Sequence, residues 1–287
     1  MTNNKIARGK DFVIQLYCIV DDLLKIIRTN QLSRKRRGRK GKFTESEAIV
    51  IACLRWKSKS SSWKAFYLET FPRYHSYFEE IPNYKNFLET MHRVSPLALQ
   101  LFQLLMFISR NHEGKEETHF IDSCLLEVCH VKRAKWCKLA KGFASKKKSS
   151  MGWFYGFKLH AICNEKHEIV SLQITTGSAD DRNPVRDLVK NLQGLIVADA
   201  GYLGEELQKN LKKMGIHLMA AARKNMKKLM TQVEHLLLKK RQSIERVFSV
   251  IKTRFGLRIS LARSITGVFV MLFSLLFWYQ LNLLSVE

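Results

Sequence analysis

Acidic side chains are scarce in this chain: 25 aspartates and glutamates stand against 49 lysines and arginines, and the formal net charge is +24 over 287 residues. An excess of this size repels itself unless a partner neutralises it. The charge therefore favours a polyanionic partner, nucleic acid above all, with an anionic membrane surface as the alternative. A hydrophobic content of 46% excludes a disordered chain and supports at least one apolar core.

The sequence also lacks the marks of a secreted, disulfide-bonded protein. Its first residues, MTNNKIARGKDF, contain no apolar core followed by a cleavage site, so we expect no signal peptide. The six cysteines follow no regular framework, which predicts reduced thiols in a cytoplasmic protein, associated with the nucleoid if its partner is DNA. Three cysteines could form a zinc site with His130, but their spacing fits no common zinc finger: Cys124, Cys129 and Cys137.

One stretch is apolar for long enough to suggest a membrane span. Residues 265–284 include 15 apolar residues out of 20, and a span needs about 20. Polar residues such as Gln280 and Asn282 interrupt the stretch, and a helix buried in a protein core is apolar all round in the same way. The sequence indicates no second stretch of this kind, so we expect a buried core helix and no membrane partner.

Residues 1–112 predict an all-helical, basic domain that binds DNA. Residues 11–28 have helical periodicity, and Thr44 with Glu47 forms a capping-box pattern before AIVIACLRWK. Helices behind basic residues suit a DNA-reading module of the helix-turn-helix kind, although small helical bundles serve many other purposes. Further helical stretches, joined by short turns, cover residues 62–70, 84–93 and 96–110.

A basic segment follows the first helix. SRKRRGRKGKF, residues 33–43, has seven basic residues from Arg34 to Lys42. The segment is either a solvated, charged linker or an arm that lies on DNA phosphates. If it is an arm, the candidate contacts are Arg34, Lys35, Arg36 and Arg37.

Residues 113–287 have a different pattern and predict a second domain. THFIDSCLLEVCHV is typical of a buried strand, GWFYGFKLHAICN and EIVSLQITT of an antiparallel hairpin, and GLIVADAGY and IHLMAAA of two further strands with helices between them. Three antiparallel strands followed by alternating helices and strands imply an α/β fold with a mixed sheet and helices on both faces. A long helix over residues 232–255 follows the last strand.

Two carboxylates interrupt the apolar strands of this domain. Asp122 lies within the first strand, where a buried carboxylate is costly unless it is paired or binds a metal. Asp199 ends the fourth strand, at the edge where α/β sheets commonly place functional groups. In a sheet ordered 3-2-1-4 the first and fourth strands are neighbours, so the two carboxylates would lie side by side. Each alone is more often structural, but together they favour a divalent cation such as Mg²⁺.

Glu245 is the single acid among six basic side chains in KKRQSIERVFSVIKTRF, residues 239–255. It is either a surface ion-pair partner or a third metal ligand on a helix that packs against the same sheet. Arg241 and Lys252 lie four residues before it and seven after it, on one helical face, where they would contact a phosphodiester backbone. Arg241 could instead be an ordinary i, i+4 partner of Glu245.

Other polar residues of the second domain have less specific patterns. Asp180 and Asp181 precede Pro184 and predict the start of a helix, with assistance at a metal site as the alternative. Basic residues in two loops are either phosphate contacts or parts of solvated loops. They include Lys146, Lys147, Lys148, Arg223 and Lys224.

An ordered set of segments resembles a known family. FIDSCLLEVC, KKKSSMGWFYGFKLHAICN, TTGSADDRNPV, VADAGY and RQSIERVFSVIKTRFG together resemble the transposases of bacterial insertion sequences with a DDE catalytic core, in particular a subgroup with the string SSMGWFYGFKLH. Related transposases often carry a Tyr-x2-Arg-x3-Glu-x6-Lys signature. Arg241, Glu245 and Lys252 match it, whereas Leu238 stands in the place of the tyrosine.

The resemblance implies a ribonuclease-H-like fold in which Asp122, Asp199 and Glu245 are catalytic and bind two Mg²⁺ ions, for which Mn²⁺ could substitute. It also implies cleavage of double-stranded DNA at the terminal inverted repeats of the element, followed by joining of the 3′-OH to target DNA. A homodimer that bridges two ends is expected. The alternatives are an inactive DNA-binding relic and a nuclease of the same fold without strand transfer.

Overall fold

Two compact units make up the chain in the computed structural model. One comprises Met1–Leu105 with Ile251–Glu287, here named the helical unit, and the other comprises Met106–Val250, here named the sheet unit. The basic arm and the loop with Arg223 and Lys224 lie outside the described residues, so the predictions for Arg34, Lys35, Arg36, Arg37, Arg223 and Lys224 stay predictions. The structure describes residues 12–29, 41–111, 118–140, 142–149, 152–221, 231–257 and 262–284.

The helical unit begins with two capped or amphipathic helices, α1 (Phe12–Thr29) and α2 (Glu45–Ser58). The Thr44 hydroxyl accepts the N–H of Glu47, and the Glu47 carboxylate accepts the N–H of Thr44. The predicted capping box is therefore confirmed, and it fixes the start of α2. A short α3 (Trp63–Ala65) continues into a π-helical turn (Phe66–Thr70) and a 3-10 turn (Phe71–Tyr77).

A single helix, α4, spans Tyr84–Asn111, so the prediction of separate helices at 84–93 and 96–110 is wrong. Pro96 lies inside α4 and lacks the N–H that would bond to an earlier carbonyl. Tertiary packing outweighs that loss, because most helical stability in proteins comes from a buried apolar face. Buried apolar residues on both sides of the proline are Met91, Val94, Ala98 and Leu101.

The last helix, α9 (Ile265–Leu284), packs against the N-terminal helices. The Trp56 indole N–H donates to the Ser274 hydroxyl over 2.8 Å, and the rings of Phe12 and Trp278 meet edge to face with centroids 6.4 Å apart. These contacts place α9 in the helical unit, whereas the predicted boundary at residue 113 placed it with the second domain. Its apolar surface is covered by α1 and α2, which no local pattern in the sequence reveals.

Both α4 and α9 are long and apolar enough to cross a membrane by length and composition, although the sequence pattern pointed to α9 alone. The most apolar windows of α4 and α9 are 44% and 67% buried inside the protein. For α9, burial on this scale is that of a core helix. The expectation of a buried core helix at residues 265–284 is confirmed.

The sheet unit contains six strands in the order β2-β3-β1-β5-β6, with β4 also paired to β3. β1, β3 and β4 are antiparallel neighbours, and β5 and β6 run parallel to β1. The predicted 3-2-1-4 order corresponds to β4-β3-β1-β5 and is confirmed, as is the ribonuclease-H-like mixed sheet. The strands are β1 (Thr118–Cys129), β2 (Ser145–Ser149), β3 (Gly152–Cys163), β4 (Ile169–Thr176), β5 (Gly194–Ala198) and β6 (Ile216–Ala220).

Four short helices accompany the sheet, and two of them differ from expectation. The helix after β4 is a single turn, and the long helix predicted over residues 232–255 is interrupted at Arg241 and ends in a π-helical turn, Val250–Arg254. α8 contacts β1 and β3 directly. The helices are α5 (Val185–Leu188), α6 (Glu205–Lys213), α7 (Gln232–Lys240) and α8 (Gln242–Ser249).

An apolar core fixes which side of the sheet each strand residue faces. Ile121 of β1, Ile162 of β3 and Val170 of β4 are buried together with residues of α5 and α6. Successive strand residues face opposite sides, so Asp122 lies on the other side from Ile121. That is the side on which the residues of the candidate site meet.

Candidate active site

Asp122 lies in the middle of β1, opposite Ala161 of β3. Its Oδ1 accepts the backbone N–H of Ser123 over 2.7 Å, and its side chain is 25% exposed. Burial raises the pKa of Asp122, and the charges of Asp199 and Glu245 raise it further, while the Ser123 hydrogen bond and Arg241 oppose the rise.

Asp199 follows β5, the strand that pairs in parallel with β1. The register joins Phe120 to Val197, so Asp122 and Asp199 each come two residues further along neighbouring strands. Asp199 Oδ1 accepts the Ala200 N–H over 2.7 Å at the start of a 3-10 turn. The predicted adjacency of the first and fourth strands therefore brings these two carboxylates to the same edge of the sheet.

Arg241 joins the third carboxylate to the first. Its Nη1 donates to Asp122 Oδ2 over 3.1 Å and its Nη2 donates to Glu245 Oε1 over 2.7 Å. The i, i+4 pair that the spacing suggested is present, but the second contact, across to β1, is additional. Arg241 lies where the helix is interrupted between α7 and α8. Its guanidinium reaches the sheet, while the Glu245 side chain is 51% exposed.

The three carboxylates offer the oxygen ligands that a hard divalent cation prefers. In the part of the chain that the structure describes, no three His, Cys, Asp or Glu side chains converge closely enough to hold a metal ion. The guanidinium of Arg241 lies between Asp122 and Glu245 and pairs with both. That Asp122, Asp199 and Glu245 would hold Mg²⁺ therefore stays a prediction.

A second group of polar residues adjoins Asp122 and was missed from the sequence. The Ser123 hydroxyl donates to Asp181 Oδ1 over 2.6 Å, and the nearly buried Lys158 ammonium donates to the same oxygen over 3.0 Å. Lys158 also donates to the Ala179 carbonyl over 2.8 Å. The available signal was Lys158 and His160, two polar residues in an otherwise apolar strand.

Asp180 and Asp181 do not cap a helix, so that prediction is wrong. The Asp180 carboxylate accepts hydrogen bonds from the backbone N–H and the guanidinium of Arg182. α5 begins only after Pro184. Burial opposes ionisation of Asp181, but the hydrogen bonds of Ser123 and Lys158 hold the pKa of Asp181 below its usual value. Asp181 therefore carries a charge that holds Lys158 and Ser123 on the side of the sheet opposite Asp122.

His160 and Tyr202 complete the surroundings of this group. His160 is fully buried, its Nε2 lies 2.8 Å from the Thr175 hydroxyl, and its Nδ1 lies 3.7 Å from Asp181 Oδ1. Burial lowers the pKa of His160 to about 4, so its ring is neutral at pH 7. Burial raises the pKa of Tyr202, and the charges of Asp122 and Asp181 raise it further. Both side chains therefore remain uncharged at pH 7.

The lysines before β3 form a strand of their own. β2 pairs Lys146, Lys147 and Lys148 with residues of β3, so the alternative of a solvated loop is wrong for them. Lys146 and Lys148 are exposed, whereas the Lys147 ammonium turns to the Ala179 carbonyl at 3.4 Å. A hydrogen bond with Lys158 lowers the pKa of Lys147, with burial and the charge of Lys158 adding to the effect. The first and third lysines remain accessible to a phosphate backbone.

A basic cavity of about 530 Å³ lies along α7 and α8 beside Glu245. Among the described lining residues, Glu245 is the only acid, and Lys239, Lys240 and Arg246 are the basic ones. Lys252, which was also predicted to contact DNA, is exposed in the π-helical turn that follows α8. Basic side chains therefore accompany the exposed Glu245 carboxylate in this cavity.

Comparisons with known proteins identify one family. Residues 113–265, more than half of the chain, match a family model described as a transposase DDE domain. A search of curated proteins found no significant match.

Solved structures similar to this chain include a piggyBac transposase synaptic complex with hairpin DNA, at 13% identity and a TM-score of 0.37, covering 79% of this chain and 51% of that one. This chain thus spans about half the length of that transposase. A pre-cleavage Mos1 transpososome matches at 9% identity and a TM-score of 0.26, covering 92% and 86% of the two chains. A Mos1 mariner paired end complex with Mn matches at 10% identity and a TM-score of 0.25, covering 93% of this chain and 87% of that one. At these values the likeness carries no conclusion about function.

Proposed function

This chain belongs to the transposase DDE domain family, and we propose that it is a DNA transposase that cleaves the ends of its own insertion element and joins the freed 3′-OH to target DNA. The observation that supports the proposal is the Arg241 guanidinium, which donates to Asp122 and to Glu245. Asp122 and Asp199 lie on paired parallel strands, and Glu245 is tied to Asp122 through Arg241.

Each carboxylate would have a distinct position around the reacting phosphodiester. Asp122, held by the Ser123 N–H and partly buried, and Asp199, held by the Ala200 N–H, are fixed by the sheet. Glu245 is the half-exposed member, on a helix that can present it to DNA. Two divalent ions, when bound to these residues, would supply activation of a water molecule and stabilisation of the leaving 3′ oxygen.

Arg241 has two roles in this proposal. With no divalent ion bound, it neutralises Asp122 and Glu245 and so keeps the three carboxylates together in the folded protein. If the carboxylates held an ion, the guanidinium would be free to contact a phosphate, the role that its spacing from Glu245 predicts.

DNA binding follows from the distribution of charge around the carboxylates. The cavity beside Glu245 is lined by Lys239, Lys240 and Arg246, and the exposed Lys146 and Lys148 lie on β2 at one edge of the sheet. We infer that this chain binds the terminal inverted repeats of its element as a homodimer, in the cytoplasm on nucleoid DNA.

The test is a cleavage and joining assay with Mg²⁺ on the inverted repeat that flanks the genomic copy. Asp122→Ala, Asp199→Ala and Glu245→Ala are each expected to lower both activities by about 10²-fold or more, while DNA binding is retained. Asp187→Ala is the matched control, because Asp187 is an exposed aspartate of the same unit, paired with Lys190 at 2.7 Å.

The outcomes separate the proposal from its rivals. Cleavage without joining would identify a nuclease of the same fold, and binding without cleavage would identify an inactive relic. Full activity of Glu245→Ala would return Glu245 to a surface ion pair with Arg241 and overturn the three-carboxylate site.

A further inference from the structure

A cavity of about 540 Å³ in the helical unit is lined by a buried arginine, whose guanidinium lies 3.9 Å over the Trp56 ring and has no acidic partner among the described residues. Arg55 of α2 lines this cavity and is only 1% exposed. Within the described part of the chain, its Nε and Nη1 have no hydrogen-bond partner. Burial lowers the pKa of Arg55 to about 10, so the guanidinium remains charged at pH 7. Buried charges in folded proteins are normally paired, and an unpaired one is expensive.

Two further features make the same cavity attractive to an anion. The first turn of α9 lies in its wall, where Ser264 and Gly267 are lining residues and the Gly267 N–H donates to the Ser264 hydroxyl over 3.0 Å. The positive end of a 20-residue helix therefore opens on the cavity. Lys64 and Arg263 also line it, and its described lining includes no aspartate or glutamate.

The wall of the cavity is also aromatic. Trp63 and Tyr84 line it, and the Arg55 guanidinium lies 5.4 Å from the centre of the Trp63 ring. A ring beside a cation is a surface on which a nucleobase can stack. A volume of about 540 Å³ is within the range of small-ligand cavities.

We propose that this cavity is a nucleotide-binding site, in which Arg55 and the N-terminus of α9 hold the phosphate and the aromatic wall holds the base. Inorganic anions would fill only the phosphate part, and an uncharged nucleoside would fill only the base part. The site lies in the helical unit, and it needs neither the three carboxylates nor a divalent ion. It therefore stands or falls separately from the proposed transposase activity.

The test measures binding of deoxyadenosine monophosphate to the full-length chain by calorimetry, with EDTA present and ionic strength fixed. Arg55→Met removes the charge and keeps much of the side-chain length. Lys57→Met is the matched control, because Lys57 is on the same helix but lies over the Phe12 ring at 3.0 Å instead of in the cavity. Affinity is expected to fall at least about tenfold in Arg55→Met and to stay within about twofold in Lys57→Met.

Further probes separate the two halves of the site and the source of the nucleotide. Deoxyadenosine and inorganic phosphate should each bind at least about tenfold more weakly than the monophosphate. A short single-stranded oligonucleotide that competes with the monophosphate would place a DNA nucleotide in the cavity, and failure to compete would assign the site to a free nucleotide.

The stability of the protein provides an independent readout. The nucleotide should raise the melting temperature of wild type and should no longer raise that of Arg55→Met. Should Arg55→Met fail to fold, substitution of the exposed Arg263 provides a second variant. Arg263→Gln is expected to lower the affinity for the monophosphate at least about threefold. Equal affinity in wild type, Arg55→Met and Arg263→Gln, or no binding to wild type, would overturn the proposal.

Discussion

Arg241 and Lys158 each pair with carboxylates in the sheet unit, and of these contacts the sequence predicts only the one between Arg241 and Glu245. Arg241 bridges Asp122 and Glu245, and Lys158 binds Asp181. The spacing of Arg241 and Glu245 predicts their ion pair, because residues four apart share a helical face. The contact to Asp122 joins residues 119 positions apart and depends on the packing of α8 against β1, which local patterns do not contain.

At Arg241, the structure predicts competition between a guanidinium and a divalent ion. In wild type, Mg²⁺ has to displace the Arg241 guanidinium. In Arg241→Gln this guanidinium is missing, so Mg²⁺ should bind without that competition. We expect the metal-free variant to melt at a lower temperature than wild type and to gain more from Mg²⁺. Thermal unfolding with and without the ion measures both effects. Arg246→Gln, one turn along the same helix and without a described carboxylate partner, serves as the control, and equal Mg²⁺ shifts in all three proteins would contradict the prediction.

At His160, stability should depend on pH in a defined direction. Burial lowers the pKa of this ring from 6.5 to about 4, so between these values the unfolded chain binds a proton that the folded chain does not. The contribution of His160 is therefore complete above pH 6.5 and is lost as the pH falls towards 4, by at most about 3 kcal/mol. Denaturant unfolding of wild type and His160→Gln across this range measures the difference. Parallel pH profiles for the two proteins would count against it.

Among the elements, the strands with regular apolar patterns were predictable and the exceptions were not. The order β4-β3-β1-β5 follows from hairpin and crossover rules, and it brings Asp122 and Asp199 together. β2 could not be found, because SKKKS has no apolar alternation and becomes a strand only by pairing with the exposed edge of β3. The same holds for α4, in which Pro96 predicts a break that packing overrides.

Close packing of β1 on β3 gives a prediction at the element scale. A Cβ added at Gly156 would lie 2.1 Å from the Leu126 carbonyl oxygen, so the two strands would have to move apart. Gly156→Ala should therefore lower the free energy of unfolding by about 3 kcal/mol or more. Gly201→Ala is the control, since a Cβ there meets nothing within 4 Å. Chemical denaturation measures both variants, and a loss as small as that of Gly201→Ala would show that the strands adjust freely.

On the scale of the whole molecule, the charge is the most general property and the least specific. A formal net charge of +24 favours a polyanion, which agrees with membership of a transposase family but does not locate the DNA. The position of bound DNA would depend on places where exposed basic side chains lie close to a carboxylate, such as the cavity along α7 and α8. The division into two units was only partly predictable, because the contacts of α9 with α1 and α2 join the two ends of the described chain.

DNA binding should be strongly dependent on salt. If six to ten phosphates are contacted, affinity is expected to fall by about 10³-fold or more between about 50 and 200 mM salt, because bound counterions are released. The double variant Lys146→Gln/Lys148→Gln should reduce the slope of log K against log salt by about 2. Fluorescence anisotropy with a labelled duplex measures the slope. Lys190→Gln, which removes a cation already paired with Asp187, should leave it nearly unchanged.

The hydrogen bond between Trp56 and Ser274 spans 218 positions, and this has a consequence for the order in which the protein is made. A ribosome completes the sheet unit when it passes Val250, while α1 and α2 still wait for the helix that covers them. Domains generally fold as units as they emerge, so the sheet unit can be in place before the helical unit is finished. Until translation reaches α9, the nascent chain can hold a folded set of carboxylates while the apolar faces of its first helices remain uncovered.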